Sequence, residues 1–203
     1  MLRRALLALS ALICLPAAFA APAVGQAAPD FTLKDTAGRP VKLSDYRGKY
    51  VVLEWTNPGC PYVRKHYNSG NMPDTQRDAV GKGAVWLSIN STAKDNGDYQ
   101  EPAKLAAWMN ERKAQPTATL LDEEGTAGKA YGARTTPHMY IVNPQGKLVY
   151  TGGIDSIPSS YPDDIKKAVN YVKQGLGEAL AGKPISQAVT RAYGCPIKYK
   201  TDA

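Results

Sequence analysis

The side chain best placed for chemistry in this sequence is Cys60. It lies in the run Tyr50-Val51-Val52-Leu53-Glu54-Trp55-Thr56-Asn57-Pro58-Gly59-Cys60-Pro61-Tyr62-Val63, where an apolar β-like stretch breaks at Pro58-Gly59 and Pro61 opens a helix. Proline suits the first turn of a helix because its missing N–H costs no hydrogen bond there. Cys60 is therefore expected at a helix N-terminus, where unpaired N–H groups and the positive end of the dipole favour thiolate over thiol. Thiolate is the reactive form, so a low-pKa, accessible nucleophile is predicted, in a turn that exposes it. The bland alternative is an inert cysteine, since free cysteine is among the most buried residue types. Arg64, one helical turn on, is a candidate to add positive charge near the sulfur.

A second sulfur stands far away in the chain. The sequence has three cysteines, and Cys14 falls in a segment expected to be removed, which leaves Cys60 and Cys195. Two cysteines in a chain of this size are one bridge or one redox couple, not a disulfide scaffold. Around Cys195, Ile197 and Tyr199 alternate with Lys198 and Lys200, so one side of the tail is expected to pack on the domain. Lys198 and Arg191 are expected to favour the Cys195 thiolate. If Cys60 and Cys195 join, their Cα atoms must come within about 7 Å.

Other chemistries find little support. The two histidines are His66 and His138, and His66, six residues from Cys60, falls on a different helix face, so no metal site is expected. No phosphate loop, dinucleotide fingerprint or Gly-x-Ser-x-Gly elbow occurs, and no cofactor is expected.

Residues 1–20 carry Arg3 and Arg4, an apolar run, and the ending Ala18-Phe19-Ala20. This is the pattern of a secretory signal peptide, too short to span a bilayer, so the mature form is expected outside the inner membrane, in the periplasm, with no membrane segment. Loss of that segment lowers the formal net charge from +7 to +5 and leaves about 183 residues. That is enough for one domain with a real core. The lysines are dispersed rather than gathered on one aromatic-rich face, so no nucleic-acid partner is expected.

The elements that must position Cys60 follow from periodicity. Residues 21–28 are small and apolar without period, a mobile lead. Alternating runs at 31–34 and 41–44 flank a turn and predict a hairpin. Residues 50–55 and 84–89 are buried strands by their β-branched and aromatic content. A helix after Pro61 meets breakers at 68–71, and Pro73 starts a second helical piece to about Gly81. Leu105, Trp108 and Met109 set one apolar face of a helix over 101–113. A strand at 118–121, a helix at 126–131, a strand at 138–142 and a Pro144-Gly146 turn into 147–150 come next, before a long amphipathic helix over 163–180. The order argues for one α/β sandwich. The domain is expected over 29–182 and a docked tail carrying Cys195 over 183–203.

The strand, the Trp55-x-x-x-x-Cys60-Pro61 turn and the following helix resemble the thioredoxin-like fold, and within it the redoxin branch of thiol-specific antioxidant and peroxiredoxin-like proteins. The nearest likeness is to the peroxiredoxin-like group that reads Cys-Pro-Tyr-Val at the reactive segment, here Cys60 to Val63, and Gly-Cys-x-Ile-Lys in the tail, here Gly194 to Lys198. The resemblance implies a three-layer sandwich, a central mixed sheet with helices on both faces. It also implies a cis bond at Thr136-Pro137, with Pro137 facing Cys60 and the Thr136 backbone open to an extended substrate by strand addition. Trp55 and Pro61 join Thr136 and Pro137 as expected substrate-binding residues. Two departures matter. Val63 stands where thioredoxins place a second cysteine, and Leu53 and Asn57 stand where peroxiredoxins carry the proline and threonine of Pro-x-x-x-Thr-x-x-Cys. The expected function is secreted thiol-disulfide exchange, with Cys60 attacking and Cys195 resolving or bridging, a protein disulfide as substrate and an external thiol as reductant. The alternatives are a thiol peroxidase acting on hydroperoxides and a non-catalytic module that holds a peptide.

Overall fold

The computed structural model describes residues 21–201; the expected signal peptide lies outside them. Its centre is the strand β3 (Val51–Trp55) beside β4 (Val85–Asn90), every residue of which is buried. Such unbroken buried runs belong to parallel strands covered on both faces, and β3 and β4 do pair in parallel. Around them come β1 (Thr32–Asp35), β2 (Pro40–Lys42), β5 (Ala118–Leu121), β7 (His138–Val142) and β8 (Leu148–Gly152). The seven-stranded order is β2-β1-β5-β4-β3-β7-β8. β5 runs parallel to β4, whereas β7 is antiparallel to β3, so the sheet is mixed.

Alternation along β3 decides what each face receives. Val52 points into a core built with Val63 and Tyr67 of α1 (Pro61–Asn68), Met72 and Ala79 of α2 (Asn71–Gly81), Leu105 and Met109 of α3 (Pro102–Glu111), and Val172 and Leu176 of α5 (Tyr171–Leu180). Val51, Leu53 and Trp55 point the other way, against Ala127 and Tyr131 of α4 (Thr126–Tyr131). Cys60 belongs to the first face. The layers are those of the expected thioredoxin-like sandwich.

Two expectations are corrected. Residues 21–28 are pinned rather than mobile: Gly25 N donates to Leu148 O at 2.7 Å and Ala28 N to Gly146 O at 2.9 Å. The helix expected over 163–180 is two pieces, a 3-10 turn at Pro162–Lys166 and α5. Asn170 starts the second by accepting from Lys173 N, as an N-cap asparagine does, and Val169 is left 47% exposed.

Candidate active site

Beyond Trp55 the chain must turn sharply into α1, and Asn57 makes the turn. Its Oδ1 accepts from Gly59 N at 2.7 Å, its Nδ2 donates to Thr92 Oγ1 at 3.1 Å, and its carbonyl accepts from Cys60 N at 3.0 Å. Arg64 Nε donates back to Pro58 O at 2.8 Å, so its guanidinium braces the turn that precedes the cysteine. Cys60 is the N-cap of α1 in extended conformation, and Pro61 fills the first turn on the surface.

The Thr136–Pro137 peptide bond is cis. Thr136 and Pro137 are buried, and the Thr136 carbonyl accepts from Cys60 Sγ at 3.0 Å. A second, two-stranded sheet forms here. In it β6 (Thr135–Thr136) pairs antiparallel with β9 (Cys195–Pro196), with Thr136 opposite Cys195. The chain's own tail is thus the strand added at the place where an extended substrate was expected. Gly194 permits this approach: its φ is +141°, and a Cβ on it would run into the Thr136 carbonyl.

The tail brings the two sulfurs together. Cys60 and Cys195 pack in one apolar cluster, and Cys60 acts on the Cys195 thiol. Cys60 is only 3% exposed, which corrects the expectation of an open nucleophile: it packs among buried residues such as Val63 and Tyr193, with Cys195 of the tail against the same cluster. Cys195 is corrected too. Burial first, then the hydrogen bond and charge of Cys60, push its thiol up to about 12, and Lys198 offsets only part of this. Cys195 therefore rests as a thiol, not as a thiolate.

Farther along, Ile197 N donates to Arg134 O at 3.0 Å, Ala93 N to Lys198 O at 2.8 Å, and Tyr199 Oη to Ala133 O at 2.8 Å. Before Cys195, Tyr193 stacks edge-on against Tyr62 with centroids 5.8 Å apart, and its hydroxyl donates to Asp155.

Some expected residues stand elsewhere. Trp55 cannot touch substrate in this conformation, because it is fully buried on the sheet face opposite Cys60, bonded through Nε1 to Ser91 Oγ at 3.0 Å. His138 finishes the turn, its Nδ1 accepting from Arg134 N at 3.3 Å, and burial then Arg134 lower its pKa to about 4. His66 is buried beneath the tail, its pKa lowered to about 3 by burial and then by Lys65. Among the described residues no group of three or more His, Cys, Asp or Glu is placed to hold a metal ion.

Sequence reasoning missed three features. Glu54, the only ionisable residue in β3, is fully buried and accepts from Tyr67 Oη, Gln76 Nε2, Trp86 Nε1 and Ser88 Oγ, so its isolation in an apolar strand was the available signal. Asp155 and Tyr193 carried no local pattern. The third is a set of buried polar atoms without a hydrogen-bond partner: Thr56 Oγ1, Asn90 Nδ2 and Thr136 Oγ1. Thr56 and Asn90 lie one step beyond the paired Trp55 and Ile89, on the Cys60 face by alternation.

The AhpC/TSA family matches this chain over residues 24–151, which ends before Asp155 and the tail. The thiol-disulfide oxidoreductase ResA of Geobacillus thermodenitrificans is 28% identical over 162 residues, covering 75% of this chain and 80% of that protein. Peroxiredoxin Bcp of Bacillus subtilis is 32% identical over 112 residues, 53% of this chain and 62% of its own. The crystal structure of an uncharacterized conserved protein from Geobacillus kaustophilus superposes with a TM-score of 0.74 at 27% identity, covering 89% of this chain and 94% of that one. With the reactive turn, the mixed sheet and a family match over more than half its length, the chain belongs to the AhpC/TSA family.

Proposed function

We propose that this protein is a thiol-disulfide oxidoreductase whose working pair is Cys60 and Cys195. One observation carries the reading: strand pairing sets Cys195 opposite Thr136, the residue whose carbonyl accepts from Cys60 Sγ. Cys60 thiolate attacks one sulfur of a substrate disulfide, forming a mixed disulfide and releasing the other sulfur as thiolate. Cys195 then loses its proton, attacks the Cys60 sulfur and releases the second substrate thiolate, so two electrons pass from the protein dithiol to the substrate. Once Cys60 is in a mixed disulfide, the part of the Cys195 rise that Cys60 causes is lifted, while burial, its larger cause, still holds the thiol up. An external thiol reverses the exchange and restores the dithiol. The signal-like leader makes the periplasm the proposed place of work.

A second substrate is favoured by the unpartnered Thr56, Asn90 and Thr136 side-chain atoms. Thr56 and Asn90 end β3 and β4 on the Cys60 face and the Thr136 carbonyl holds Cys60 Sγ, so a ligand for these atoms must be small and able to hydrogen-bond. A hydroperoxide suits both conditions. Cys60 thiolate takes one peroxide oxygen to become a sulfenic acid while the other leaves as the alcohol or water after protonation. Cys195 thiol then condenses with it, forming the same disulfide and water. The tail's occupation of the Thr136 edge weighs against a module that merely holds peptides.

One experiment tests both. Reduced protein is mixed with one equivalent of a peptide disulfide or of hydrogen peroxide and followed by mass and non-reducing peptide mapping. A Cys60–Cys195 link is expected, and Cys195→Ser should halt the disulfide reaction at a mixed disulfide. Cysteines left unlinked, or joined only between molecules, refute the proposed pair.

A further inference from the structure

The tail that delivers Cys195 is fastened at a buried polar cluster the reaction itself does not use. Tyr193, two residues before Cys195, donates its hydroxyl to Asp155 Oδ1. Lys65 Nζ and His66 Nε2 of α1 stand 3.6 Å and 3.7 Å from Asp155 Oδ2. His66 Nε2 also lies 3.3 Å from the Tyr193 hydroxyl, and Lys65 Nζ is 5.9 Å from the Tyr193 ring centroid. The Lys65, His66 and Asp155 side chains are at most 2% exposed. A buried ammonium demands a carboxylate, and the carboxylate that faces it, Asp155, accepts through Oδ1 from Ile157 N at 3.1 Å and from the Tyr193 hydroxyl. Three parts of the fold meet here: α1, which begins at Cys60; the loop after β8, which brings Asp155; and the tail. Tyr62, inside the reactive segment, supplies the aromatic wall against Tyr193.

The geometry points to Tyr193 and Asp155 as positioning residues: a clasp that holds the tail as an internal strand on β6, keeping Cys195 in line with Cys60 and closing the Thr136 edge to outside chains. The clasp therefore has two effects of opposite sign. It raises the effective concentration of Cys195 at Cys60, which speeds closure of the intramolecular disulfide. It also hides Cys60 from any reagent that must come from solution. The closure effect rests on the proposed Cys60–Cys195 exchange; the shielding effect does not.

Tyr193→Phe removes one hydroxyl and keeps the ring. Losing one buried hydrogen bond to a charged group should raise the population of the released tail about tenfold. In a Cys195→Ser background, alkylation of Cys60 by iodoacetamide should then run about tenfold faster. With Cys195 present, the first-order closure that follows attack on a small disulfide should slow several-fold. Amide exchange at Ile197 should quicken while that of β3 stays unchanged, which separates release of the tail from loosening of the whole fold. Asp155→Asn, which keeps the shape but drops the charge, should move all readouts the same way. Unchanged alkylation in both variants overturns the clasp, as does β3 exchange that rises in step with Ile197. If the wild type never joins Cys60 to Cys195, the exchange reading fails, and the alkylation and amide-exchange arms still decide the clasp.

Discussion

Gly194 shows how much of this site hangs on a missing atom. The tail can lie against Thr136 only because no Cβ intervenes, and its φ of +141° is one that other residues adopt with strain. Gly194→Ala should therefore undock the tail without disturbing the sheet. The expected signature is a stability loss of about 1–3 kcal/mol together with faster alkylation of Cys60 and slower disulfide closure. An alanine variant that closes as fast as the wild type would show that the tail reaches Cys60 by another route. Cys195 makes the complementary point: burial, the larger cause, and Cys60 beside it push its thiol up to about 12, which makes it a poor nucleophile while the tail stays docked.

At the scale of elements, α1 is held from below as well as above. Glu54 collects four donors, from α1 (Tyr67), α2 (Gln76) and β4 (Trp86 and Ser88), so one carboxylate ties the strand before Cys60 to the helix after it. Burial raises the Glu54 pKa, and the hydrogen bonds from Trp86, Ser88, Tyr67 and Gln76 oppose that rise. Glu54→Gln keeps the volume but turns an amide N–H₂ toward groups that also donate. It should cost about 1–3 kcal/mol in urea unfolding, and a loss under about 0.5 kcal/mol would mean the donors find other acceptors. The two-piece region before α5 is also a matter of elements. The apolar spacing of Ile165, Ala168 and Val169 suggested one continuous helix, but the backbone around Asn170 pairs with Asp155, Ser156 and Ile154, and that local competition ended the helical run.

Across the whole molecule, both histidines are buried and neutral, and this sets a pH dependence. Their folded pKa values, about 3 for His66 and about 4 for His138, lie below the ordinary 6.5, so the unfolded chain takes up protons first. Their contribution is fully present above pH 6.5 and is lost as the pH falls toward the folded values, at up to about 1.4 kcal/mol per pH unit for each histidine. Glu54 and Asp122, whose pKa values burial raises, act with the opposite sign at the acidic end. Urea midpoints should drop between about pH 6.5 and about pH 4.5. His138→Asn, which keeps an acceptor for Arg134 N, should remove roughly half of that slope; an unaltered slope would exclude His138 as a cause.

The sequence by itself determined the strand-turn-helix that carries Cys60, the buried pair β3 and β4, and a tail with one side made to dock. These are local matters: proline at a first helical turn, runs dense in β-branched and aromatic residues and two-residue alternation are written in consecutive residues. Only the tertiary structure decided that Cys60 is buried beside the docked tail, that Trp55 faces away from Cys60, that Cys195 rests protonated, and that Asp155 fastens Tyr193. Apart from the facing of Trp55, these depend on residues distant in the chain, as far apart as Cys60 and Thr136 or Asp155 and Tyr193. Burial and desolvation arise only where such segments meet, and no spacing along the chain encodes them.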